Sequence, residues 1–162
     1  MNNLLFLLLF LVTSIYAKNW DNSLYKGNRS YSEYTQNTVK DNLTELIWEK
    51  DRSEHDLMWG EAEGYCLQLS LDGFDDWRLP TYEELYYLAD RNKFYPSIDE
   101  TYFDEDGEWY WSATLYKFEF DTAWLVSFTS GYDSYQKKVN RNFARCVRNI
   151  GDNKIESDEE EE

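Results

Sequence analysis

The stretch "DDWRLPTYEEL" (residues 75–85) places a proline between an extended segment and the start of a helix. Pro80 disfavours helical backbone at the residue before it, so the segment "WRL" is expected to be extended. Thr81 and Glu84 have the spacing of a capping box, in which the threonine side chain accepts from the Glu84 amide and the glutamate carboxylate accepts from the Thr81 amide. We therefore predict a helix over residues 82–90.

The extended segment of this stretch is predicted to be a joint of the fold and not an active centre. Trp77 is expected to fill the core, and Arg78 is expected to pair with a carboxylate or with loop carbonyls. An anion clamp at Arg78 is the alternative, but the neighbouring acids Asp75 and Asp76 are expected to occupy this guanidinium first. The fold signature is therefore assigned to Trp77, Arg78, Leu79, Pro80, Thr81 and Glu84.

Strand and helix patterns flank this stretch on both sides. Upstream, "TVKDN" and "ELIWEKD" have the pattern of two short strands around a turn at Asn42. Asp56 is a candidate cap for a helix whose buried face carries Trp59, Ala62, Tyr65, Cys66 and Leu69 at helical spacing. Downstream, "WYWSAT", "TAWLVSF" and "FARCVR" are strand-like, and the turn "TSGYDSY" leads to a polar return, "QKKVNR". This order predicts an α+β fold, with two helices packed on small antiparallel sheets.

The chain has two cysteines, Cys66 and Cys146. In an exported chain an even number of thiols indicates a disulfide. A zinc site is a weaker interpretation, because it needs about four ligands and the sequence has a single histidine, His55. A catalytic thiol would need that histidine beside it, and nothing in the sequence places it there. The predicted bond would join the first helix to the last strand, in which we expect Cys146 to lie.

The ends of the chain differ in composition from its middle. Residues 1–17 have an apolar run over residues 4–12, too short for a membrane span, and then small and polar residues, as in a secretory signal peptide. An uncleaved anchor is the alternative. Residues 18–37 are assigned to a leader or linker, residues 38–150 to the folded domain, and the acidic residues 151–162 to a disordered tail. We therefore expect a periplasmic or secreted protein with no stable membrane span after signal cleavage.

The chain is strongly acidic, with a formal net charge of -16. Seven acidic residues and one lysine lie in the tail, so about ten excess negative charges remain on the rest of the chain. A surface of this charge repels phosphate backbones. Nucleic acid is therefore not expected as a partner.

Five segments resemble, in this order, the Lcl C-terminal domain family of bacterial exported proteins: "WGEAEGYC", "GFDDWRLPTYEEL", "YWSAT", "AWLVSF" and "RCVR". The resemblance covers about residues 38–149. That family is named after the end of a collagen-like adhesin and is related to the C-type lectin fold. It implies a C-type-lectin-like architecture in which a disulfide links the first helix to the last strand, and Cys66 and Cys146 stand at those positions. It also implies an extracellular or surface binding module, and most members have no assigned ligand.

The chain also departs from what this resemblance would imply for the ligand. It has no collagen-like Gly-X-Y segment, so a trimeric stalk is not expected. The adhesin's end domain is associated with sulfated polysaccharides, which the negative charge of this chain disfavours. The triplets that bind calcium and sugar in calcium-dependent lectins, Glu-Pro-Asn or Gln-Pro-Asp with Trp-Asn-Asp, do not occur.

The strongest candidate for a ligand site is the stretch "FDEDGEWYW" (residues 103–111) together with three later tyrosines. Exposed aromatic rings beside it would stack on sugars or form the centre of a protein contact. Trp109 and Trp111 share one face of a predicted strand, so at least one of them is expected to be core. The candidate ligand-binding residues are Trp109, Tyr116, Tyr132 and Tyr135.

The acids of the same stretch are the candidate metal ligands. Asp104, Asp106 and Glu108 carry the hard oxygen atoms that calcium prefers, although Gly107 does not stand where an EF-hand has its glycine. A solvated acidic loop is the simpler interpretation. Calcium is therefore an alternative, and no other cofactor is predicted.

The sequence predicts a protein that is not an enzyme. No Ser-His-Asp set, metal-ligand set or phosphate loop can be assembled, and His55 is expected at the surface. Our first hypothesis is an exported binding module for a glycan or for an extracellular or envelope protein. The alternative is a structural or assembly component of an envelope protein complex. A hydrolase with paired carboxylates is a third interpretation.

Overall fold

The computed structural model describes residues 29–104 and 108–151 as two helices and two small antiparallel sheets. One sheet has the strand order β1-β2-β3-β7, and the other has the order β4-β5-β6. The strands are β1 (Tyr31–Thr35), β2 (Thr38–Asp41), β3 (Leu46–Glu49), β4 (Trp109–Leu115), β5 (Thr122–Ser127), β6 (Asp133–Lys137) and β7 (Val147–Asn149), and the helices are α1 (Trp59–Gln68) and α2 (Tyr82–Leu88). The predicted α+β class is confirmed.

Helix α2 begins where the capping box predicts. The Thr81 hydroxyl accepts from the Glu84 amide at 3.2 Å, and the Glu84 carboxylate accepts from the Thr81 amide at 2.8 Å. The helix ends at Leu88, two residues before the predicted end, because the backbone of Ala89 is extended. The Asp90 amide then donates to the Ser97 carbonyl at 2.7 Å, which starts the loop that follows.

Helix α1 begins later than the predicted cap. Leu57 is still extended, because its amide and carbonyl pair with those of Asn142 at 2.8 and 3.0 Å. Asp56 is therefore not the cap: the N-cap residue is Met58, whose amide donates to the Glu61 carboxylate at 2.9 Å. Long-range backbone pairing thus decides where this helix starts.

The "WRL" segment is a joint of the fold, as predicted, and the structure shows that it connects α2 to β7. Trp77 is buried, and the amide and carbonyl of Arg78 pair with Val147 at 3.0 Å each. The Arg78 guanidinium donates two parallel hydrogen bonds of 2.7 Å to Glu84. The expectation that Asp76 occupies Arg78 is wrong, since the Asp76 carboxylate pairs with Arg148 instead.

The predicted disulfide between Cys66 and Cys146 is confirmed, with an S–S distance of 2.10 Å and a Cα–Cα distance of 5.4 Å. It joins the buried face of α1 to the segment before β7. Cys146 does not lie in the last strand as predicted, because β7 begins one residue later, at Val147. The Cys146 carbonyl nevertheless accepts from the Glu49 amide at 2.9 Å, which extends the pairing with β3.

The sheet reaches into the segment that the sequence assigns to a linker. Residues 18–37 were expected to lie outside the domain, but strand β1 pairs with β2 and forms the edge of the first sheet. The ring of Tyr31, which lies in this strand, packs against Tyr102 and Phe103, with centroid distances of 5.8 and 5.2 Å. The sequence of this strand is mostly polar, because an edge strand buries few side chains. It therefore lacks the apolar pattern from which a strand is predicted.

The predicted signal peptide of residues 1–17 lies outside the described residues. So does the predicted acidic tail beyond Gly151. Within residues 29–104 and 108–151, no helix is both long and apolar enough to cross a membrane.

The core has two parts, one on each face of the second sheet. Side chains of β4 and β5 alternate between them, so Tyr110 and Val126 lie in one part and Trp111 and Leu125 in the other. The first part includes Leu85 and Leu88 of α2, and the second includes the disulfide. The second sheet therefore has α2 on one face and α1 with the disulfide on the other.

Candidate ligand-binding site

A group of aromatic rings lies at one end of the second sheet, on the face that also carries Val126 and α2. We call this group the aromatic platform; its members are Tyr82, Tyr116, Phe118, Trp124 and Tyr135. The sheet register creates its centre, because Trp124 of β5 and Tyr135 of β6 are directly opposite partners. Tyr116, which follows β4, stacks on Tyr135 with a centroid distance of 3.8 Å and an interplanar angle of 13°.

Helix α2 supplies the other side of the platform through Tyr82. Its ring lies 4.7 Å from that of Trp124, and its hydroxyl is hydrogen-bonded to the Asp133 carboxylate at 3.2 Å. Burial, together with the negative charge of Asp133, raises the pKa of the Tyr82 phenol, which therefore stays protonated at physiological pH. The Tyr82 amide donates to the Thr114 hydroxyl at 3.0 Å, which ties the start of α2 to the end of β4.

The loop between β4 and β5 extends the platform with two exposed phenylalanines. Phe118 is 76% exposed and Phe120 is 90% exposed. The Lys137 ammonium holds this loop, because it donates to the Phe120 carbonyl at 2.8 Å and pairs with Glu119 at 2.9 Å. Large apolar side chains are thus presented to solvent on a loop that is tied to β6.

The structure brings together two of the four predicted ligand-binding residues. Tyr116 and Tyr135 form the stacked pair of the platform. Trp109 lies elsewhere, half-buried and packed with Trp111 in the part of the core that holds the disulfide. Tyr132 is 64% exposed in the turn before β6.

Sequence reasoning missed Trp124 and Tyr82 as members of this surface. The alternation within "TAWLVSF" does place Trp124 on the face opposite Leu125, so a signal for Trp124 was present. No comparable signal exists for Tyr82, which meets Trp124 only because α2 packs across the sheet.

Asp51 lies outside the acidic stretch and was missed by sequence reasoning, but it interacts with Asp104 of that stretch. Partial burial and a hydrogen bond to Asp104 both raise the pKa of Asp51, so two carboxyl groups lie in contact there. Asp104 and Glu108 are exposed, and Asp106 lies outside the described residues. No three potential metal ligands of the His, Cys, Asp or Glu type come together within the described part of the chain. Calcium at this loop stays a prediction.

The sole histidine lies at the surface, as predicted. Its side chain is 79% exposed, and its Nε2 atom lies 3.9 Å from a carboxylate oxygen of Glu54.

Comparison with protein families supports the resemblance drawn from the motifs. Residues 37–148 match the Lcl C-terminal domain, a domain of unknown function. No curated protein matches the chain. The C-type-lectin-like relationship implied by the resemblance stays a prediction.

Proposed function

The chain belongs to the Lcl C-terminal domain family, and on that premise we propose that it is a non-catalytic binding module that recognises a glycan through the aromatic platform. The observation that carries the proposal is the stacked pair of Tyr116 and Tyr135 beside Trp124. Tyr135 is 41% exposed, so part of the pair stays open to a ligand.

The chemistry of the platform suits a sugar. Aromatic rings offer apolar faces to the C–H groups of a pyranose, and phenol groups offer hydrogen bonds to its hydroxyls. The Asp133 carboxylate beside Tyr82 adds an acceptor for sugar hydroxyls. The ligand is expected to be uncharged or weakly charged, because about ten excess negative charges on the body repel a sulfated polymer.

We place this activity at the cell envelope or outside the cell. The disulfide between Cys66 and Cys146 supports that location, because such bonds persist in oxidising compartments and are rare in the cytosol. The apolar segment at residues 4–12 supports export by the secretory route.

A second candidate function is a structural or assembly role in an envelope protein complex. The observation that favours it is the exposure of Phe118 and Phe120, because large exposed apolar side chains are typical of protein contacts. In that case the platform and its loop would bind an apolar surface of another protein and not a sugar.

A glycan array, run with and without calcium, tests the first candidate. We expect the wild-type protein to bind at least one class of glycan, and Tyr116→Ala and Tyr135→Ala to lose most of that binding. Leu67→Ala is the matched control, because Leu67 is 68% exposed on α1, far from the platform. Calcium-dependent binding would support a metal at the loop of Asp104 and Glu108.

The array also separates the two candidates. No glycan binding, combined with recovery of an envelope protein that Phe120→Ala no longer recovers, would favour the assembly role. Glycan binding that survives both tyrosine substitutions would refute the platform as the site. Circular dichroism of each variant checks that the fold is retained.

A further inference from the structure

We infer that a cleft between the start of β1 and the end of α2 is a second binding site, which takes a small ligand of the sugar-acid class. The cleft has a volume of about 410 Å³. This volume lies within the range of small-molecule sites, which is roughly 300 to 1,000 Å³. Arg29 and Tyr31 form one wall, and the other is formed by Tyr86, Tyr87, residues 88–93 and Asp99.

The central feature of the cleft is the guanidinium of Arg91, which the fold holds in place. Its Nη1 atom donates to the Tyr86 carbonyl at 2.6 Å, and its Cζ atom lies 3.2 Å from the centre of the Tyr86 ring. A side chain held from two directions loses little entropy when a ligand binds. Contact with Tyr86 therefore restricts the Arg91 side chain to the wall of the cleft.

Arg91 also has hydrogen-bonding capacity that the protein does not use. Its buried Nη2 atom has no hydrogen-bond partner in residues 29–104 and 108–151. A buried donor without an acceptor is unfavourable, so an oxygen supplied by a ligand would remove that cost after a small adjustment of the side chain. A carboxylate is the group that best matches a guanidinium.

The other two cations of the cleft are already paired. Arg29 donates to the Asp41 carboxylate, with its Nε atom at 2.9 Å, and the Lys93 ammonium lies 3.9 Å from the Asp90 carboxylate. Arg91 is thus the cation left to attract an anion. A single carboxylate is repelled far less than a sulfated polymer, because it carries one charge and interacts mainly with charges within about 8 Å at physiological ionic strength.

The remaining polar groups of the cleft select a sugar acid over a compact anion such as phosphate. Asp99 places a carboxylate in the same cleft, which would repel a multiply charged ion but accept hydrogen bonds from hydroxyl groups. Burial and the nearby acids raise the pKa of the Tyr31 phenol despite the opposing effect of Arg29, so this hydroxyl stays a donor. A ligand with one carboxylate and several hydroxyls suits the cleft, because the carboxylate can pair with Arg91 and the hydroxyls can bond to Asp99 and Tyr31.

This site is separate from the proposed function of the platform and stands without it. The two surfaces adjoin, because the Tyr86 ring lies 5.3 Å from that of Tyr82. They differ in character, however: the platform offers aromatic faces, and the cleft offers a held cation.

The test is a titration of the full-length, isotopically labelled protein with glucuronate, observed through the backbone amides of residues 90–93. Glucose, glucuronamide and inorganic phosphate are titrated in parallel. We expect glucuronate to shift these amides with an affinity at least tenfold higher than that of the other three compounds. Arg91→Gln should weaken glucuronate binding at least tenfold, and Lys117→Gln, which removes an exposed cation near Phe118, should leave it unchanged.

Several results would overturn the inference. They are the absence of shifts at residues 90–93, equal binding of glucuronate and its neutral amide, equal or tighter binding of phosphate, and unchanged binding by Arg91→Gln. If Arg91→Gln fails to fold, the comparison of glucuronate with glucuronamide on the wild-type protein still decides the outcome. The Tyr116→Ala and Tyr135→Ala variants test the other proposal and are not expected to change these shifts.

Discussion

Arg78 and Glu84 lie on opposite sides of Pro80 and are joined by two parallel hydrogen bonds of 2.7 Å each. The same glutamate caps α2 by accepting from the Thr81 amide. One carboxylate therefore connects the extended segment, the helix start and, through the backbone of Arg78, strand β7. This link explains why residues 75–85 act as a joint between α2 and the first sheet.

We predict that Glu84→Ala lowers the free energy of unfolding by about 2 kcal/mol, since it removes a helix cap and a charge-assisted hydrogen-bond pair. Glu84→Gln should lower the free energy of unfolding by about half as much, because the amide oxygen of the glutamine can still accept from the Thr81 amide. Urea denaturation measures both values. Glu83→Ala, an exposed neighbour on the same helix, is the control and should change stability little. Equal losses for the Glu83 and Glu84 variants would contradict the role of this joint.

The disulfide should make a large contribution to stability. It closes a loop with a sequence separation of 80 residues, for which chain entropy predicts about 4 to 5 kcal/mol. Cys66→Ser, Cys146→Ser and chemical reduction of the wild type should therefore lower the melting temperature to a similar extent. The variant that lacks both cysteines should no longer respond to a reductant, and a continued response would show that reduction acts elsewhere.

Glu49 should make stability depend on pH in the mildly acidic range. Glu49 is 5% exposed, and its carboxylate accepts from the Cys146 amide at 2.9 Å and from the Tyr65 hydroxyl. Burial raises the pKa of Glu49 from its ordinary value of 4.5, and the two hydrogen bonds offset this only in part. The folded protein therefore holds this proton more tightly than the unfolded chain does.

The sign of the effect follows from that difference in proton binding. The stability that Glu49 contributes is fully present below pH 4.5 and is lost as the pH rises through the raised pKa. The wild type should thus lose stability relative to Glu49→Gln between pH 4.5 and neutral pH. Urea denaturation of both proteins across this range measures the difference, and a difference independent of pH would refute the prediction.

Gly131 should tolerate a side chain poorly. Its φ is +74°, and an added Cβ would lie 3.1 Å from the Oγ atom and 3.3 Å from the Cβ atom of the buried Ser97. We predict that Gly131→Ala lowers the free energy of unfolding by about 1 to 2 kcal/mol, because the left-handed backbone is strained for alanine and the added Cβ makes a tight contact with Ser97. Gly60→Ala is the matched control. Gly60 has open space around its Cβ position and lies in α1, so the change should be neutral or stabilising by up to about 1 kcal/mol. Thermal denaturation compares the two variants.

Local interactions explain which parts of the fold were predictable. Pro80 restricts only its neighbour and the Thr81–Glu84 capping box spans four residues, so the start of α2 can be read from the chain without knowledge of what surrounds it. The two cysteines allow only one intramolecular pairing, so the composition was enough to predict the disulfide. Burial of Trp77 was predictable because a large apolar side chain in an extended segment is usually buried in the core.

The errors concern contacts between distant parts of the chain. Strand β1 was assigned to a linker because its residues are mostly polar. Its place in the sheet depends on pairing with β2, which the local sequence does not show. The start of α1 was misplaced because Leu57 is held by Asn142, which is 85 residues away. Asp76 was expected to pair with Arg78, but it pairs with Arg148. That contact depends on the position of β7 in the sheet, which the sequence does not show.

The amino-acid sequence by itself determined the α+β class, the start of α2, the disulfide and the family, because these depend on short-range sterics, capping and composition. Only the tertiary structure decided the candidate sites. Trp124 meets Tyr135 through the strand register, Tyr82 joins them through the packing of α2, and the cleft that Arg91 lines forms only where β1 lies beside the end of that helix. These contacts join strands and helices that are far apart in the chain, and no local preference specifies which of them will meet.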